Sequence, residues 1–533
     1  MHPVWFCPMD LHPAARVFFA AFLYVLHTGS DTNRKNGFFG FVPARERIEW
    51  IMDQRNLTML MDFYELTMAN GFLESGLGEQ IVYFDLFFRK VPDQAGYAIM
   101  AGVEQAVEYL KNLHFTPEDL AYLRGRKLFS EPFLQYLEQF SFSCDVWAIP
   151  EGTPVFAHEP LITVRGPAMQ AQLLETMLLI SINHQSLIAT KAARIVRAAE
   201  GRPVMEFGSR RAQGYDGATL GARAAYIGGC CGTACASADR DYGVPALGTM
   251  AHSWVQLFPT ELDAFRAYAK IYPDQCTLLV DTYNVLRSGV PNAITVFREL
   301  AAAGYRPKGI RIDSGDIAYL SKKARIMLDE AGFPDCGIVA SNALDEYLIR
   351  DLLVQGAKIN SFGVGERLIT SRSEPVFGGV YKLVATERDG ELIPKIKLSE
   401  NVEKVTNPGF KTVWRLFDNQ TGMAIADVLT LADEVIDESK PYVIFSPEHT
   451  YKRKKLTNFT AKKLQVQLFR AGRCVYQLPT LEEIRRYSQE QLATIWDEVK
   501  RFENPHAYYV DLSEPLWQLK QQMLDSYFGA ASN

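Results

Sequence analysis

The chain has 533 residues, of which 48% are hydrophobic and 22% charged, with a formal net charge of −6. This length exceeds what one compact core holds, so we expect two or three domains. The acidic balance argues against a nucleic-acid-binding surface, and eight sparse, irregularly spaced cysteines argue against a disulfide framework. The composition therefore predicts a globular cytoplasmic protein with no nucleic-acid partner.

The first 51 residues form an atypical N-terminal extension. Its apolar run at 14–27 is shorter than the roughly 20 residues of a membrane span, and it lacks the basic start and cleavage site of a signal peptide. Helical periodicity begins only at Asn56, after a polar start. We hypothesise that Met52 is the true start, and we expect no membrane association.

The remaining chain divides into three predicted domains. Residues 52–200 combine short alternating strands and helices with a long bridging helix at 169–199, which predicts a small α+β domain. Residues 201–384 alternate short apolar strands with helices and are predicted to be the catalytic domain. Residues 385–533 contain strands, turns and an amphipathic helix, LEEIRRYSQEQLATIWDEVKRF, and are predicted to pack on the other two.

Seven candidate strands in the central domain predict a parallel sheet. They are 203–207, 224–227, 245–248, 277–282, 309–314, 337–341 and 359–363. Closure would hide the edges of such a sheet, and the short spacing favours an irregular form. The predicted fold class is α/β, an irregular TIM-like barrel with a smaller N-terminal α+β domain and a C-terminal extension.

Most of these strands end in glycine with charged or polar residues. The signatures are EFGSRR, GTMAH, DTYN, RIDSGD, ASNALDE and FGVGER. Because the loops after parallel strands face one common opening, these side chains are expected to form one site. Arginine suits carboxylate or phosphate, and aspartate oxygens suit Mg²⁺. The candidates are Arg210, Arg211, Arg311, Asp281, Asp313 and Asp316, with His252 as the candidate nucleophile.

The last strand ends predict a monophosphate site. Ser341 precedes a helix, and Gly363 and Gly365 follow the final strand, where barrels bind phosphate through backbone N–H groups. The alternative is that Ser341 only caps its helix. Two other clusters are given structural interpretations: Cys230, Cys231 and Cys235 as buried thiols rather than a zinc site, and the basic run 451–456 as a solvated loop.

The chain resembles nicotinate phosphoribosyltransferases of the bacterial type, in the type II phosphoribosyltransferase superfamily. The motifs that carry the resemblance are LMDFYELTMANG, FDLFFRKVPDQAGYAIMAGVEQ, EFGSRRAQG, GTMAHSW, IRIDSGD, FGVGERLIT, VFGGVYKLV and NPHAYYVDLS. They run in the family's order from about Met52 to beyond Leu512. The resemblance implies that nicotinate, 5-phosphoribosyl 1-diphosphate, ATP and water give nicotinate mononucleotide, diphosphate, ADP and phosphate, the first step of NAD salvage from nicotinate.

The resemblance also assigns roles to individual residues. His252 corresponds to a phosphohistidine, Asp313 is a second catalytic residue and a Mg²⁺ ligand through the substrate diphosphate, and ATP is a co-substrate. The implied nicotinate site consists of Tyr64, Phe207, Arg210, Thr249 and Arg311. Tyr64 is implied to reach across from the other subunit of a homodimer. The implied phosphoribosyl diphosphate site consists of Arg210, Ser341, Gly363, Gly365 and Thr370.

Two positions depart from the family pattern. Cys231 to Ala234 reads Cys-Gly-Thr-Ala where many relatives have Asp-Gly-Thr-Ser, and Glu366 stands where relatives have threonine. Ala234 still lacks the acid that nicotinamide-using relatives place there, which favours a carboxylate substrate. Glu366 is expected to repel a phosphate unless it points away.

Other functions remain open at this point. A nicotinamide or quinolinate phosphoribosyltransferase would share the fold and the donor, and an inactive relative would bind nucleotide as a sensor. An unrelated barrel lyase acting on a sugar phosphate gives no reason for Tyr64 or His252.

Overall fold

The computed structural model describes residues 55–401, 404–447 and 449–529. The predicted extension 1–51 and the proposed start at Met52 lie outside these residues. No helix in the described ranges is long and apolar enough to cross a membrane.

The N-terminal part contains five strands and six helices. The strands are β1 Ile81–Phe88, β2 Ala98–Ile99, β3 Asp145–Ala148, β4 Pro154–Val155 and β5 Ile162–Pro167. The helices are α1 Phe63–Glu74, α2 Val103–Lys111, α3 Pro117–Gly125, α4 Glu131–Glu138, α5 Ala168–Gln172 and α6 Glu175–Ala198. The predicted bridging helix is thus α5 and α6, separated by a short break.

The central part alternates strands and helices. The strands are β6 Val204–Glu206, β7 Gly232–Thr233, β8 Thr277–Leu279, β9 Gly309–Ile312, β10 Gly337–Asn342 and β11 Ser361–Val364. The helices are α7 Gly214–Ile227, α8 Ala236–Tyr242, α9 His252–Gln256, α10 Glu261–Ile271, α11 Val290–Ala302, α12 Ile317–Glu330, α13 Glu346–Val354 and α14 Glu366–Ile369.

The C-terminal part is rich in strands. These are β12 Gly379–Arg388, β13 Glu391–Pro394, β14 Lys411–Asp418, β15 Ala424–Leu431, β16 Tyr442–Phe445, β17 Arg453–Leu456, β18 Phe459–Lys463, β19 Val466–Arg470, β20 Arg473–Cys474 and β21 Val510–Leu512. Its helices are α15 Leu481–Ala493 and α16 Glu514–Gly529. The amphipathic helix predicted at 481–502 therefore ends at Ala493, where Thr494 caps it.

The central strands form a six-stranded parallel sheet in the order β7-β6-β11-β10-β9-β8. The last strand, β11, pairs with the first, β6, as in a barrel of consecutive βα units. A parallel bridge from Thr233 to Ala246 adds one residue of a seventh strand. Among the described residues no strand pairing joins Ala246 to β8. The α/β prediction is confirmed, and the irregular barrel takes the form of a ring with one interruption.

Two of the seven strand predictions are wrong, and one strand was missed. Residues 224–227 belong to α7. Small residues let this helix pack closely on α6: at its C-cap, a Cβ on Gly228 would lie 2.4 Å from the carbonyl oxygen of Ala189. Residues 245–248 contribute only the bridge at Ala246. The missed strand, β7, is two residues long, too short for an apolar pattern to register.

A seven-stranded sheet crosses the predicted domain boundaries. Its order is β13-β12-β1-β5-β3-β19-β20, so strands from the N-terminal and C-terminal parts lie side by side. The C-terminal part adds a four-stranded sheet in the order β18-β14-β15-β21. The boundaries at 200 and 384 thus separate segments of sequence that share one sheet.

Buried ion pairs connect these parts. The fully buried Arg223 of α7 donates to both carboxylate oxygens of Glu151, at 2.9 and 2.8 Å, and to Glu104 of α2 at 2.8 Å. Arg415 of β14 is likewise buried; it pairs with Asp427 of the neighbouring β15 at 2.8 and 2.6 Å and donates to the carbonyl oxygen of Pro154 in the N-terminal part at 2.8 Å. Because a buried charge without its partner is costly, the Arg223 contacts hold α7 on the N-terminal part, and Arg415 holds the C-terminal sheet there.

Candidate active site

The turn after β6 is held by a buried carboxylate. Glu206 accepts hydrogen bonds from the backbone N–H of Gly208 and, at 2.6 Å, from the hydroxyl of Thr233 on the neighbouring strand. Burial raises the pKa of Glu206, and the two hydrogen bonds oppose that rise. The contacts set the direction of the next residues, Phe207 and Arg210, at the carboxyl end of the sheet. Glu206 had no role in the sequence interpretation, although its place inside EFGSRR was a usable signal.

Arg311 of β9 brings four predicted site residues together. Its Nε donates to Ser341 Oγ at 2.8 Å, one Nη to Thr249 Oγ1 at 3.1 Å and the other Nη to Asp313 Oδ1 at 2.9 Å. Ser341 also donates to Asp313. The guanidinium of Arg311 lies over the Phe207 ring, with 5.5 Å between Cζ and the ring centroid. Arg311 therefore contacts both residues predicted to bind nicotinate and a residue predicted to bind 5-phosphoribosyl 1-diphosphate.

Gly363 provides the floor beneath the aromatic ring. A Cβ at this position would lie 2.5 Å from Cδ2 of Phe207, so only glycine admits the ring where it stands. The backbone N–H of Phe207 donates to the carbonyl oxygen of Val364 at 2.8 Å. The ring and the glycine loop after β11 are therefore one packed unit.

His252 lies at the start of α9, facing two carboxylates. Its Nδ1 is 3.1 Å from Thr282 Oγ1, and its Nε2 is 3.8 Å from Asp313 Oδ2 and 4.0 Å from Asp281 Oδ1. The side chain of His252 is 41% exposed, which leaves the imidazole accessible. Thr282 was not among the predicted site residues, although it follows Asp281 in the same DTYN signature.

Asp281 carries a buried oxygen with no partner. Its Oδ2 accepts from the backbone N–H of Asp313 at 3.1 Å and from Ser314 Oγ at 2.6 Å. Its Oδ1 has no hydrogen-bond partner in the described residues, and the side chain is 1% exposed. A buried, unsatisfied carboxylate oxygen beside a second aspartate suits a cation held mainly by substrate oxygens. No group of three or more His, Cys, Asp or Glu in the described part could hold a metal ion alone.

The predicted phosphate loops lie at adjacent strand ends. Ser341 pairs with Gly363 across β10 and β11, and Asn342 has a φ of 109°, which an L-residue rarely adopts. Gly365 starts α14, and the Thr370 hydroxyl donates to the carbonyl oxygen of Glu366 at 2.7 Å. Ser341 does not cap α13, because Asp345 is its N-cap. The pure capping alternative for Ser341 is therefore wrong.

Glu366 points towards a cation. Its carboxylate lies 3.3 Å from Arg372, and both side chains are exposed. The expected repulsion of a phosphate is thus partly neutralised within the chain. At the other departure, Ala234 is exposed directly after β7 and donates its N–H to the carbonyl oxygen of Glu206 at 2.8 Å. No side-chain charge therefore enters the site at position 234.

Arg210 and Tyr64 are less engaged within this chain. Arg210 is exposed, and no ion pair involves it among the described residues. Tyr64 on α1 is 43% exposed, and burial and the nearby Glu175 raise its pKa. No ring contact in the described residues joins Tyr64 to Phe207. The chain alone does not assemble the predicted aromatic pair.

A group of cations, Lys382, Lys397 and Arg89, lies on one side of Glu175, the acidic neighbour of Tyr64. Lys382 Nζ lies 3.9 Å from Glu175 Oε1, and burial together with Lys397 and Arg89 lowers the pKa of Lys382. The Nε of Arg89 is buried without a hydrogen-bond partner in the described residues. The sequence interpretation assigned no role to this cationic cluster, although Arg89 and Lys382 lie inside two of the motifs.

The site belongs to the class of α/β proteins that gather their functional side chains at the ends of parallel strands. Here these side chains are an arginine, two aspartates, a histidine and an aromatic ring.

Three family models match the chain: the nicotinate phosphoribosyltransferase N-terminal domain over residues 59–183, the nicotinate phosphoribosyltransferase (NAPRTase) family over 203–415 and the C-terminal domain over 410–520. The matches follow one another along almost the whole described chain.

Individual relatives agree with the family models. The chain is 45% identical over 479 residues to a Bacillus subtilis protein named nicotinate phosphoribosyltransferase, covering 90% of this chain and 97% of that one. The human protein of the same name is 32% identical, with 86% and 95% covered. A crystal structure of human nicotinic acid phosphoribosyltransferase superposes with a TM-score of 0.76 at 30% identity, covering 87% of this chain and all of that one.

The chain belongs to the nicotinate phosphoribosyltransferase family. The predictions of this family, of an enzyme and of transferase chemistry in NAD biosynthesis are confirmed. A Pyrococcus furiosus nicotinate-nucleotide pyrophosphorylase shares the fold, with a TM-score of 0.64 at 22% identity.

Proposed function

We propose that this chain joins nicotinate to 5-phosphoribosyl 1-diphosphate, giving nicotinate mononucleotide and diphosphate, with coupled hydrolysis of ATP to ADP and phosphate. One observation carries the proposal: Arg311 lies over the Phe207 ring and binds Thr249, Asp313 and Ser341. A single cation thereby links a flat apolar surface, suited to a pyridine ring, with the phosphate loops.

The acceptor site is proposed to hold nicotinate on Phe207, with its carboxylate directed to cations. Arg210 is exposed at the same strand end without an ion-pair partner in the described residues, so its guanidinium is free to bind a carboxylate in a bidentate manner. Thr249 offers a hydroxyl beside Arg311. The absence of an acidic side chain at Ala234 avoids repulsion of a carboxylate, which supports nicotinate over nicotinamide.

The donor's 5-phosphate is proposed to bind at the loops of Ser341, Gly363 and Gly365, with Thr370 beside them. Backbone N–H groups at the ends of adjacent parallel strands are suited to a phosphate. Arg210 is proposed to contact the donor as well. Arg372, which faces Glu366, keeps the local charge from becoming negative.

The chemical step is proposed as displacement at ribose C1 through an oxocarbenium-like transition state. The pyridine nitrogen forms the new bond as the C1–O bond to diphosphate breaks and the bonding pair leaves with the diphosphate. Mg²⁺ supplies charge stabilisation on the departing diphosphate when bound, and Asp313 and Asp281 are the residues suited to hold it. Arg311 and Asp313 hold the reactants in line, so the protein contributes positioning and electrostatics.

His252 is proposed to accept the terminal phosphoryl group of ATP. The imidazole attacks phosphorus, ADP leaves, and water later releases phosphate. A phosphoryl group adds roughly −1.5 to −2 charge, which is proposed to attract Arg210 and Arg211 on the turn after β6. Asp281 and Asp313, near Nε2, stabilise an imidazole N–H.

A homodimer is proposed to complete the site. Tyr64 makes no ring contact with Phe207 within the described chain, and the charged groups that act on it are the carboxylates of Glu175, Glu65 and Asp62. Lys382 lies 3.9 Å from Glu175, and Arg89 acts on Lys382. If a second subunit presents this surface, Tyr64 covers the pyridine ring while the cations approach the donor's diphosphate. A cytoplasmic location is proposed with it, where the reduced cysteines and the soluble substrates fit.

Product analysis with and without ATP tests the proposal. Purified protein with nicotinate, 5-phosphoribosyl 1-diphosphate and Mg²⁺ should form nicotinate mononucleotide slowly, and ATP should accelerate it. His252→Ala should abolish the acceleration and retain the slow transfer, whereas unchanged ATP coupling in this variant excludes the phosphohistidine role.

Competing pyridines separate the alternatives in the same assay. Preferred use of nicotinamide, or of quinolinate with release of CO₂, would contradict the acceptor. Failure of a single turnover with any of the three would favour an inactive nucleotide-binding relative.

A further inference from the structure

The two proposed phosphate loops are joined by an ion pair. Arg367, on α14 directly after the Gly363–Gly365 loop, donates from Nη1 to Asp345, the N-cap of α13 directly after the Ser341 loop. Asp345 uses its other oxygen to cap the helix, accepting from the N–H of Leu348 at 2.8 Å. The pair therefore joins the segments that directly follow the two loops.

A second, buried cluster holds the next residue of α13. Glu346 is 0% exposed, and its Oε1 accepts from Lys191 Nζ at 2.8 Å and Arg194 Nε at 2.9 Å, both on α6. Lys191 also donates to Ser373 Oγ at 2.7 Å, beyond α14, and to Asp93 Oδ2 at 2.9 Å. Two of the three ammonium donors thus hold α13 and the segment after α14 on α6, and the third binds Asp93 in the N-terminal part.

Two residues beside these ties have strained backbone angles. Asn342 has a φ of 109° and Ser371 a φ of 41°, and non-glycine residues hold such angles only where surrounding contacts impose them. A phosphate bound by N–H groups from two loops requires a fixed spacing between them, because each N–H must meet its own oxygen. Contacts that fix this spacing before the donor arrives lower the cost of binding.

We propose that the Arg367–Asp345 ion pair is a positioning device for the donor's 5-phosphate, with Glu346 and Lys191 anchoring it to α6. This inference rests on the proposed function, since it assigns the phosphate to these loops. Arg367 acts through Asp345 rather than on the substrate. Ser341 and Gly363 themselves stay paired in the β10–β11 ladder, and Phe207 stays packed on Gly363. Loss of Arg367 therefore loosens the segments that follow the two strands, 343–345 and 365–366, and weakens donor binding while the acceptor site keeps its geometry.

Four variants test the pair. Arg367→Gln removes the charge, and Asp345→Asn removes the partner while an amide oxygen still caps α13. The double variant Arg367→Gln/Asp345→Asn measures coupling, and Arg367→Lys restores a cation. Arg266→Gln is the control, since it removes an exposed pair with Glu299, at 2.7 Å, between the outer helices α10 and α11.

The expected result is specific for the donor. Either single variant should raise the KM and the Kd for 5-phosphoribosyl 1-diphosphate about tenfold, less than the roughly hundredfold cost of an ångström of misplacement. The KM for nicotinate and the kcat should stay within about twofold, the double variant should be no worse than the singles, and Arg367→Lys should recover most of the affinity. Arg266→Gln should change none of these values.

Other results would overturn the positioning role of Arg367. An effect of Arg367→Gln that Asp345→Asn does not reproduce shows that Arg367 contacts the donor directly, and overturns the positioning role. Unchanged donor affinity in both, or an equal loss of both affinities with a lowered Tm, also overturns it. If the wild type binds the donor but makes no nicotinate mononucleotide, the proposed function fails, and the Kd values of the variants still test whether the Arg367–Asp345 pair positions the donor. If the wild type does not bind the donor, both are refuted.

Discussion

Substituting Gly363 by alanine tests whether the ring surface and the phosphate loops form one unit. The new Cβ would lie 2.5 Å from Cδ2 and 2.6 Å from Cε2 of Phe207. Since carbon atoms in contact lie about 3.5–4.0 Å apart, the ring must move by about 1 Å. Its attraction to a stacked pyridine is worth about 0.5–1.5 kcal/mol, so losing it should raise the KM for nicotinate about 2- to 13-fold. Overpacking should also lower the free energy of unfolding by about 1–3 kcal/mol.

The assay combines steady-state kinetics with urea unfolding and a matched control. Gly337→Ala, at the opposite end of β10, places its Cβ no closer than 3.5 Å to any atom and should leave both quantities unchanged. In a Phe207→Ala background the overlap no longer exists, so adding Gly363→Ala should cost little more. An equal loss in both backgrounds would refute the reasoning, because Gly363 would then act through the phosphate alone.

Three further predictions follow from charged groups. Burial raises the pKa of Glu65 to about 7. The folded state therefore binds this proton more tightly than the unfolded state, and the free energy of unfolding falls as the pH rises from 4.5 through 7. In unfolding measured from pH 4 to 8, Glu65→Gln should make this fall smaller by roughly 1–3 kcal/mol. Arg223→Met leaves Glu151 and Glu104 without their cation and should lower the free energy of unfolding by about 3–5 kcal/mol, whereas Arg124→Met, in an exposed pair with Glu131, should barely change the Tm. Glu366→Thr should change the donor KM by less than about threefold, because Arg372 already faces this carboxylate; a larger fall in KM would show that the glutamate repels the donor.

The sequence predicted those parts of the site that follow from parallel strands. Arg311, Asp313 and Ser341 stand at strand ends, and parallel strands bring their carboxyl ends together whatever the details of the helices. Contacts made across the fold were harder to predict. Glu206 and Thr282 stand inside the EFGSRR and DTYN signatures, but their contacts, like the Asp345–Arg367 pair, depend on side-chain directions that no local pattern encodes.

The strand errors have a related cause. An apolar run of four residues fits a buried strand and a buried helix equally, and 224–227 lies on α7 because tertiary packing against α6 decides the matter. The domain boundaries were drawn along the sequence, whereas the seven-stranded sheet pairs β1 with β12, about 300 residues apart. Long-range antiparallel pairing of this kind leaves no mark in local periodicity.

His252 lies beside the interruption of the barrel, between the bridge at Ala246 and the end of β8. Among the described residues no backbone hydrogen bond joins the segment around Ala246 to β8, yet Thr249 meets Arg311 and His252 meets Thr282 across the same gap. Side chains of the site therefore take the place of a strand ladder there. Because side-chain contacts respond to charge far more than backbone ladders do, a phosphoryl group on His252 would alter the contacts between the two halves of the ring. In the proposed function, this irregularity of the barrel would let a phosphoryl group on His252 act on the substrate site.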